Sequence, residues 1–323
     1  MYPYIDMHCD SLLRVLEQGT DSLYDGVGMQ SISKMRKAGQ MCQFFALFFR
    51  PEWRTEQEQY FQTLRNALYE QVELHAEEIA MAHNYEEIQA NRALGRASAV
   101  LTIEDGRIVN GRLEKLQELY KLGVRSMALT WNHDNCFGYP NSKDIMIMKR
   151  GLTDFGKRAI EEMNRLGMLI DVSHLSDGGF WDVAFLSEKP FIASHSNCRA
   201  LVSHPRNLTD DMIVCLAQKG GVAGVNLYPP FVSRENITES KPQLYSRYIE
   251  DLAAHVLHFI KVGGEDCVGI GTDFDGMECR VEIDEPAKME YLFHALREKG
   301  MTSRQLEKFA YGNVLRVIRD TMK

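Results

Sequence analysis

Eight short apolar runs, separated mostly by longer amphipathic stretches, constrain this chain more than any other feature. The runs cover residues 4–10, 41–49, 98–104, 126–131, 168–174, 191–195, 221–226 and 268–273. Each is rich in Ile, Val, Leu, Phe or Ala, as strands buried in a parallel sheet are. Most of the gaps hold helical patterns, with apolar side chains three and four apart, over residues 55–90, 111–122, 154–166, 210–219, 243–262 and 286–299. Alternating strand and helix predicts a parallel sheet. Eight such units predict an α/β fold of the (β/α)8 TIM-barrel type rather than an open doubly wound sheet. No Gly-x-Gly-x-x-Gly turn follows the first run, which counts against a dinucleotide-binding fold. The stretch 55–90 is expected as helix packed outside the barrel, and residues 302–321 as two extra short helices. The chain lacks repeats, low-complexity segments and Pro/Gly/Ser-rich linkers, so residues 1–323 are expected to form one domain.

Composition narrows the partners. The net charge of −8 argues against nucleic acid or an anionic membrane surface. No apolar run reaches transmembrane length, and no signal-peptide pattern precedes the first strand. Seven scattered cysteines without a Cys-x-x-Cys pair suit reduced thiols. A cytoplasmic location is therefore expected.

Polar residues recur where the runs end. The first run ends in His8 and Asp10, which project to the same side of a strand, with Cys9 on the other. The third ends in Glu104, and the fourth is followed by Asn132, His133 and Asp134. The fifth and sixth end in His174 and His195, and the eighth in Asp273. In a barrel all these ends share the catalytic face. Imidazoles and carboxylates without thiolates suit Zn²⁺, and Mn²⁺, Co²⁺ or Fe²⁺ accept the same donors. Several ligand sets around one shared Glu104 favour two metals over one. Cys9 is expected as a small buried apolar residue.

These residues resemble the membrane (renal) dipeptidase family of zinc dipeptidases, within the amidohydrolase superfamily, as a bacterial-type cytosolic member. The likeness rests on Asp6-Met7-His8-Cys9-Asp10, Thr102-Ile103-Glu104-Asp105-Gly106, Asp171-Val172-Ser173-His174, Ser194-His195-Ser196, Arg206-Asn207, Gly271-Thr272-Asp273-Phe274-Asp275-Gly276 and Gly312-Asn313-Val314-Leu315-Arg316-Val317. The resemblance implies a binuclear zinc metallopeptidase. His8 and Asp10 would hold one zinc, His174 and His195 the other, and Glu104 would bridge both beside a shared hydroxide. It further implies Asp273 as the proton-transfer carboxylate, Arg206 as the grip on the substrate's terminal carboxylate and Tyr228 near the substrate. The implied substrate is a free dipeptide, L,D-dipeptides included, and a homodimer is left open.

One departure stands out. The family places a His directly after the Leu-Thr of the fourth run to polarise the scissile carbonyl. Here Leu129-Thr130 is followed by Trp131, and His133 comes two residues later. In an extended chain His133 shares the side of Trp131, which makes it the candidate for that catalytic, substrate-binding role. Two alternatives stay open: a related amidohydrolase acting on another small amide, and a metal-binding barrel without hydrolytic activity. The ordinary reading of Arg206 is a surface residue paired with Asp210 or Asp211.

Overall fold

The computed structural model describes residues 2–49, 56–233, 235, 237, 245–277 and 279–323. Residue 55 and residues 243–244, where two expected helical stretches begin, lie outside the described residues.

Among the described residues, nine parallel strands form one sheet. They are β1 (Ile5–Cys9), β2 (Cys42–Phe48), β3 (Ile79–Met81), β4 (Ala97–Glu104), β5 (Val124–Ala128), β6 (Leu169–Asp171), β7 (Ile192–Ala193), β8 (Val222–Val225) and β9 (Val268–Ile270). The order β2-β1-β9-β8-β7-β6-β5-β4 closes on itself because β2 also pairs with β4. The expected eight-stranded barrel is therefore present, with each predicted run supplying a strand. The ninth strand, β3, hangs on the start of β4, with Ile79 opposite Ala97.

That strand corrects the expectation for residues 55–90. The stretch divides into a helix Gln57–Leu74, strand β3 and a helix Tyr85–Ala93. The local reason is capping: the Asn84 side chain accepts from the Glu87 backbone N–H at 2.9 Å, which starts a new helix there. Elsewhere capping makes the period reliable. Thr153 caps the helix Asp154–Leu166 at one end and Gly167, at φ 79°, stops it at the other.

The tail holds the two short helices expected for residues 302–321. The helices Ser303–Glu307 and Asn313–Thr321 are joined through a wide helical turn at Lys308–Gly312, without a loop. Val314, Val317 and Ile318 pack with Ile5, Met7, Phe44, Leu169, Ile192 and Val222 in one apolar cluster. Most of these sit near the beginnings of their strands, so the last helix plugs the floor of the barrel. The expected ligand residues lie toward the opposite, C-terminal rim. Among the described residues no helix is long and apolar enough to cross a membrane.

Candidate metal centre and active site

The rim gathers the other four expected ligand side chains around Glu104. Its Oε2 lies 3.6 Å from His8 Nε2, while its Oε1 lies 3.0 Å from His174 Nε2 and 3.6 Å from His195 Nε2. The two oxygens thus face two groups of donors. On the first side, His8 Nε2 is 3.3 Å from Asp10 Oδ2 and 3.8 Å from Asp273 Oδ1. The sets His8–Glu104–His195 and His8–Asp10–Asp273 each bring ligand atoms within 4.8 Å of one another. Cys9 points the other way, into the apolar core, as the strand alternation predicts.

Backbone strain aims two of these side chains. His174 (φ 68°) and Asp273 (φ 64°) lie in the left-handed region, as does Asp105 (φ 74°) next to Glu104. Non-glycine residues held there cost free energy and cluster at functional sites. Gly276 completes the cradle: a Cβ on it would fall 2.2 Å from Asp10 Oδ2 and 2.5 Å from Asp273 Oδ1.

The donor set can be tested for a cation through its protons. Ser194 Oγ contacts Asp171 Oδ2 at 2.5 Å and His195 Nδ1 at 2.7 Å. A carboxylate can only accept, so the hydroxyl gives its proton to Asp171 and accepts from His195 Nδ1–H. His195 Nε2 is then a bare lone pair. His174 Nδ1 likewise faces Asn132 Oδ1 at 3.1 Å, an oxygen that can only accept, and its Nε2 is bare as well. The two Nε2 atoms lie 2.9 Å apart, a repulsive pair that a cation between them turns into a ligand pair. His8 Nε2 and Asp10 Oδ1 are buried with no hydrogen-bond partner among the described residues. The residues therefore fit a metal on both sides of Glu104.

Charge follows the same pattern. Burial pushes His174 and His195 well below the usual imidazole range, so they stay neutral and able to ligate. Burial opposes a charge on His8 too, but Glu104 and Asp10 outweigh it and raise His8. Burial, then Asp10, pushes Glu104 up to about 8, against the pull of His8. Burial also raises Asp273, while His8 draws it back.

Arg206 is a buried residue, 6% exposed, rather than a surface one. Asp210, its supposed partner, instead meets His258 Nε2 at 2.7 Å. The Arg206 guanidinium donates to His195 O at 3.1 Å and Ser196 Oγ at 3.3 Å. Its Nε is buried and unpartnered among the described residues. Arg206, Ser196 and His174 line a narrow cleft together with Asn207 and Leu208. Tyr228 lies half-buried against Phe231, ring centroids 4.9 Å apart, and the Arg206 guanidinium sits 5.5 Å from the same Phe231 ring.

His133 is not drawn into the cluster. Strand β5 ends at Ala128 and the chain bends through residues 131–133, so alternation no longer governs direction. His133 is exposed, its ring 5.8 Å from that of Trp131.

Three groups escaped sequence reasoning. Asn132 orients His174. Asn226 Nδ2 donates to Asp273 Oδ2 at 2.9 Å and fixes that carboxylate. Asp6 and Asp171 bind neighbouring strands from inside the sheet. A signal existed for the last pair: a carboxylate within an apolar run must find buried donors.

The whole chain, residues 1–323, matches the model of the membrane dipeptidase family, peptidase family M19. It is 36% identical over 227 residues to a protein encoded in the pqqA 5′ region of Klebsiella pneumoniae, covering 68% of this chain and 81% of that protein. It is 37% identical over 237 residues to an uncharacterized dipeptidase of Schizosaccharomyces pombe, covering 72% of this chain and 55% of that one. Its structure superposes with a TM-score of 0.90 on the crystal structure of dipeptidase AC, a family M19 metallopeptidase, at 26% identity over 99% of this chain and 98% of that one. A second superposition, also with a TM-score of 0.90, is with a Rhodobacter sphaeroides metallopeptidase liganded with a phosphinate mimic of L-Ala-D-Ala, at 25% identity over 99% of both chains. The barrel, the ligand cluster at its rim and the end-to-end family match lead to one conclusion: this chain belongs to the membrane dipeptidase family, a family of metal-dependent dipeptidases.

Proposed function

We propose that the protein hydrolyses the peptide bond of free dipeptides, L,D-dipeptides among them, with two zinc ions at the rim. His8, Asp10 and Glu104 would hold one ion, and Glu104, His174 and His195 the other. Two such ions make hydroxide available from a shared water near neutral pH and polarise the substrate carbonyl. The observation that carries the reading is the pair of donor sets facing the two oxygens of Glu104, with a buried, incompletely bonded guanidinium hydrogen-bonded to the His195 carbonyl beside them.

The remaining roles belong to the chain's own side chains. Asp273, held by Asn226, takes the nucleophile's proton at its free oxygen and delivers it to the leaving amine. Arg206 grips the terminal carboxylate with paired hydrogen bonds, and its unsatisfied Nε is one donor available for that. A fixed carboxylate grip next to the reacting centre selects for short substrates. Tyr228 would pack beside the gripped residue. His133, at the rim beside Trp131, is the candidate to donate to the scissile carbonyl. The cysteines, none in a disulfide, agree with a cytosolic enzyme.

The test is a panel of L,L- and L,D-dipeptides, N-acetylated dipeptides and tripeptides, each assayed with and without chelator. Chelator-sensitive cleavage of free dipeptides alone is the expected result. Cleavage of blocked or cyclic amides instead would keep the metals and remove the Arg206 grip. A metal-loaded, folded protein that cleaves nothing would overturn the hydrolase reading.

A further inference from the structure

Trp131 occupies the place where a polar, carbonyl-facing residue was expected, and the structure gives it a different neighbourhood. Its indole lies edge-on to Phe48, ring centroids 4.8 Å apart, and 6.3 Å from the ring of His174. Phe48 is buried at the end of β2, while Trp131 beyond the end of β5 is only half-buried. Strand β4, which ends in the shared Glu104, pairs with both β2 and β5. An aromatic shelf thus borders the metal centre on either side of Glu104, with Phe48 as its support and Trp131 as its open face.

The barrel order says what rests on that shelf. Going round the ring in either direction, β2 stands four strands from β7, which leads into His195 and the Arg206 loop. The Phe48 end of the shelf therefore lies on the wall opposite the carboxylate grip, while Trp131, beyond β5, stands two strands from β7 and 6.3 Å from the His174 ring. A residue of extended chain spans at most about 3.3–3.6 Å. A dipeptide whose carboxylate is held at Arg206 and whose amide lies over the cluster has only its N-terminal residue left to reach the far wall.

We infer that the Trp131–Phe48 shelf is the specificity surface for the N-terminal side chain, and that the enzyme favours dipeptides beginning with an apolar or aromatic residue. The inference rests on the reading of Arg206 as the carboxylate grip. Apolar burial against an indole face rewards Leu or Phe, gives little to Gly and disfavours a carboxylate that would lose its water there. Discrimination by one hydrophobic surface is modest, about tenfold or somewhat more.

The experiment measures kcat and KM of the zinc-loaded enzyme for Gly-Ala, Leu-Ala, Phe-Ala and Asp-Ala, for wild type, Trp131→Ala and Trp131→Leu. Wild type is expected to show kcat/KM about tenfold higher for Leu-Ala and Phe-Ala than for Gly-Ala, with Asp-Ala lowest. In Trp131→Ala the advantage of Leu and Phe over Gly should shrink to about threefold or less, mainly through KM, with Trp131→Leu between. Trp131→Leu also guards against a folding defect, because it keeps an apolar cover on Phe48. An undiminished Leu/Gly ratio in both variants would overturn the shelf and leave the dipeptidase reading standing. Absence of dipeptide cleavage by wild type would overturn both.

Discussion

The two sides of the centre are built with the same device put to different ends. On β1, Asp6 accepts from its own strand's His8 N–H at 3.2 Å, and from Thr272 N–H at 2.9 Å and Thr272 Oγ at 2.6 Å beyond β9. On β6, Asp171 accepts from the Ser173 N–H just past the strand at 2.9 Å, and from Ser194 N–H at 2.9 Å and Ser194 Oγ at 2.5 Å beyond β7. Each carboxylate staples its strand end to the neighbouring one through the same three donors. The difference lies in the hydroxyl's other contact. Ser194 accepts from the ring of His195, so the staple on β6 fixes a ligand's tautomer. Thr272 Oγ accepts from the Phe274 N–H at 3.2 Å, so the staple on β1 fixes the backbone around Asp273. Under the proposed roles, one staple steadies a metal ligand and the other the proton carrier. Outer partners of metal ligands commonly matter nearly as much as the ligands themselves.

The largest expected effect comes from removing the proton carrier. Asp273→Asn should lower kcat by about 10²–10⁴ while the metal content stays at the wild-type level. Steady-state kinetics with metal analysis would decide it, and near-normal turnover would end the assignment. Next come the staples. Asp6→Ala and Asp171→Ala each strand three buried donors and should cost about 3–5 kcal/mol in denaturant unfolding. Their metal content should differ: the Asp171 variant should lose metal from the His195 side, and the Asp6 variant should lose mainly stability. Equal metal loss in both would erase the distinction between the sides.

A smaller effect is expected where His174 is oriented from an exposed position. Asn132→Ala should weaken metal retention about 10–100-fold against a competing chelator, with little change in melting temperature. Asn132→Asp, which keeps the acceptor, should restore most of it. The smallest effect is on pH. In the metal-free protein Glu104 is pushed up to about 8, so below that pH it carries a proton that a metal must displace. Metal affinity should therefore fall as pH falls below 8, about tenfold per pH unit for each proton released. Calorimetry in buffers of different ionisation enthalpy would read the protons released by Glu104 and by His8, which Glu104 and Asp10 raise, and an affinity flat from pH 6 to 8 would mean that neither carries one there.

The barrel was legible because each run of buried strand is mostly apolar, and because a polar residue at its end has few structural uses. His8, Asp10, Glu104, His174 and His195 could be proposed together for that reason. The helix 154–166 was legible to the residue, since Thr153 and Gly167 mark its ends. The division of residues 55–90 was less so, because three residues of strand cannot show a period and the Asn84 cap sits in a polar stretch. His133 shows where alternation stops: beyond Ala128 the chain bends, and the side on which a residue falls is no longer a matter of counting.

The sequence by itself determined the strand and helix alternation, the ligand types and the family pattern, all properties of local composition and order. Only the tertiary structure decided which oxygen of Glu104 faces which histidines, that Asp6 and Asp171 perform matching tasks, and that Trp131 packs edge-on to Phe48 beside the cluster. Those facts depend on ring closure, on strained backbone at His174 and Asp273, and on which hydroxyl proton is already committed. They bring together residues as far apart in the chain as Asp6 and Thr272, beyond the reach of any local period.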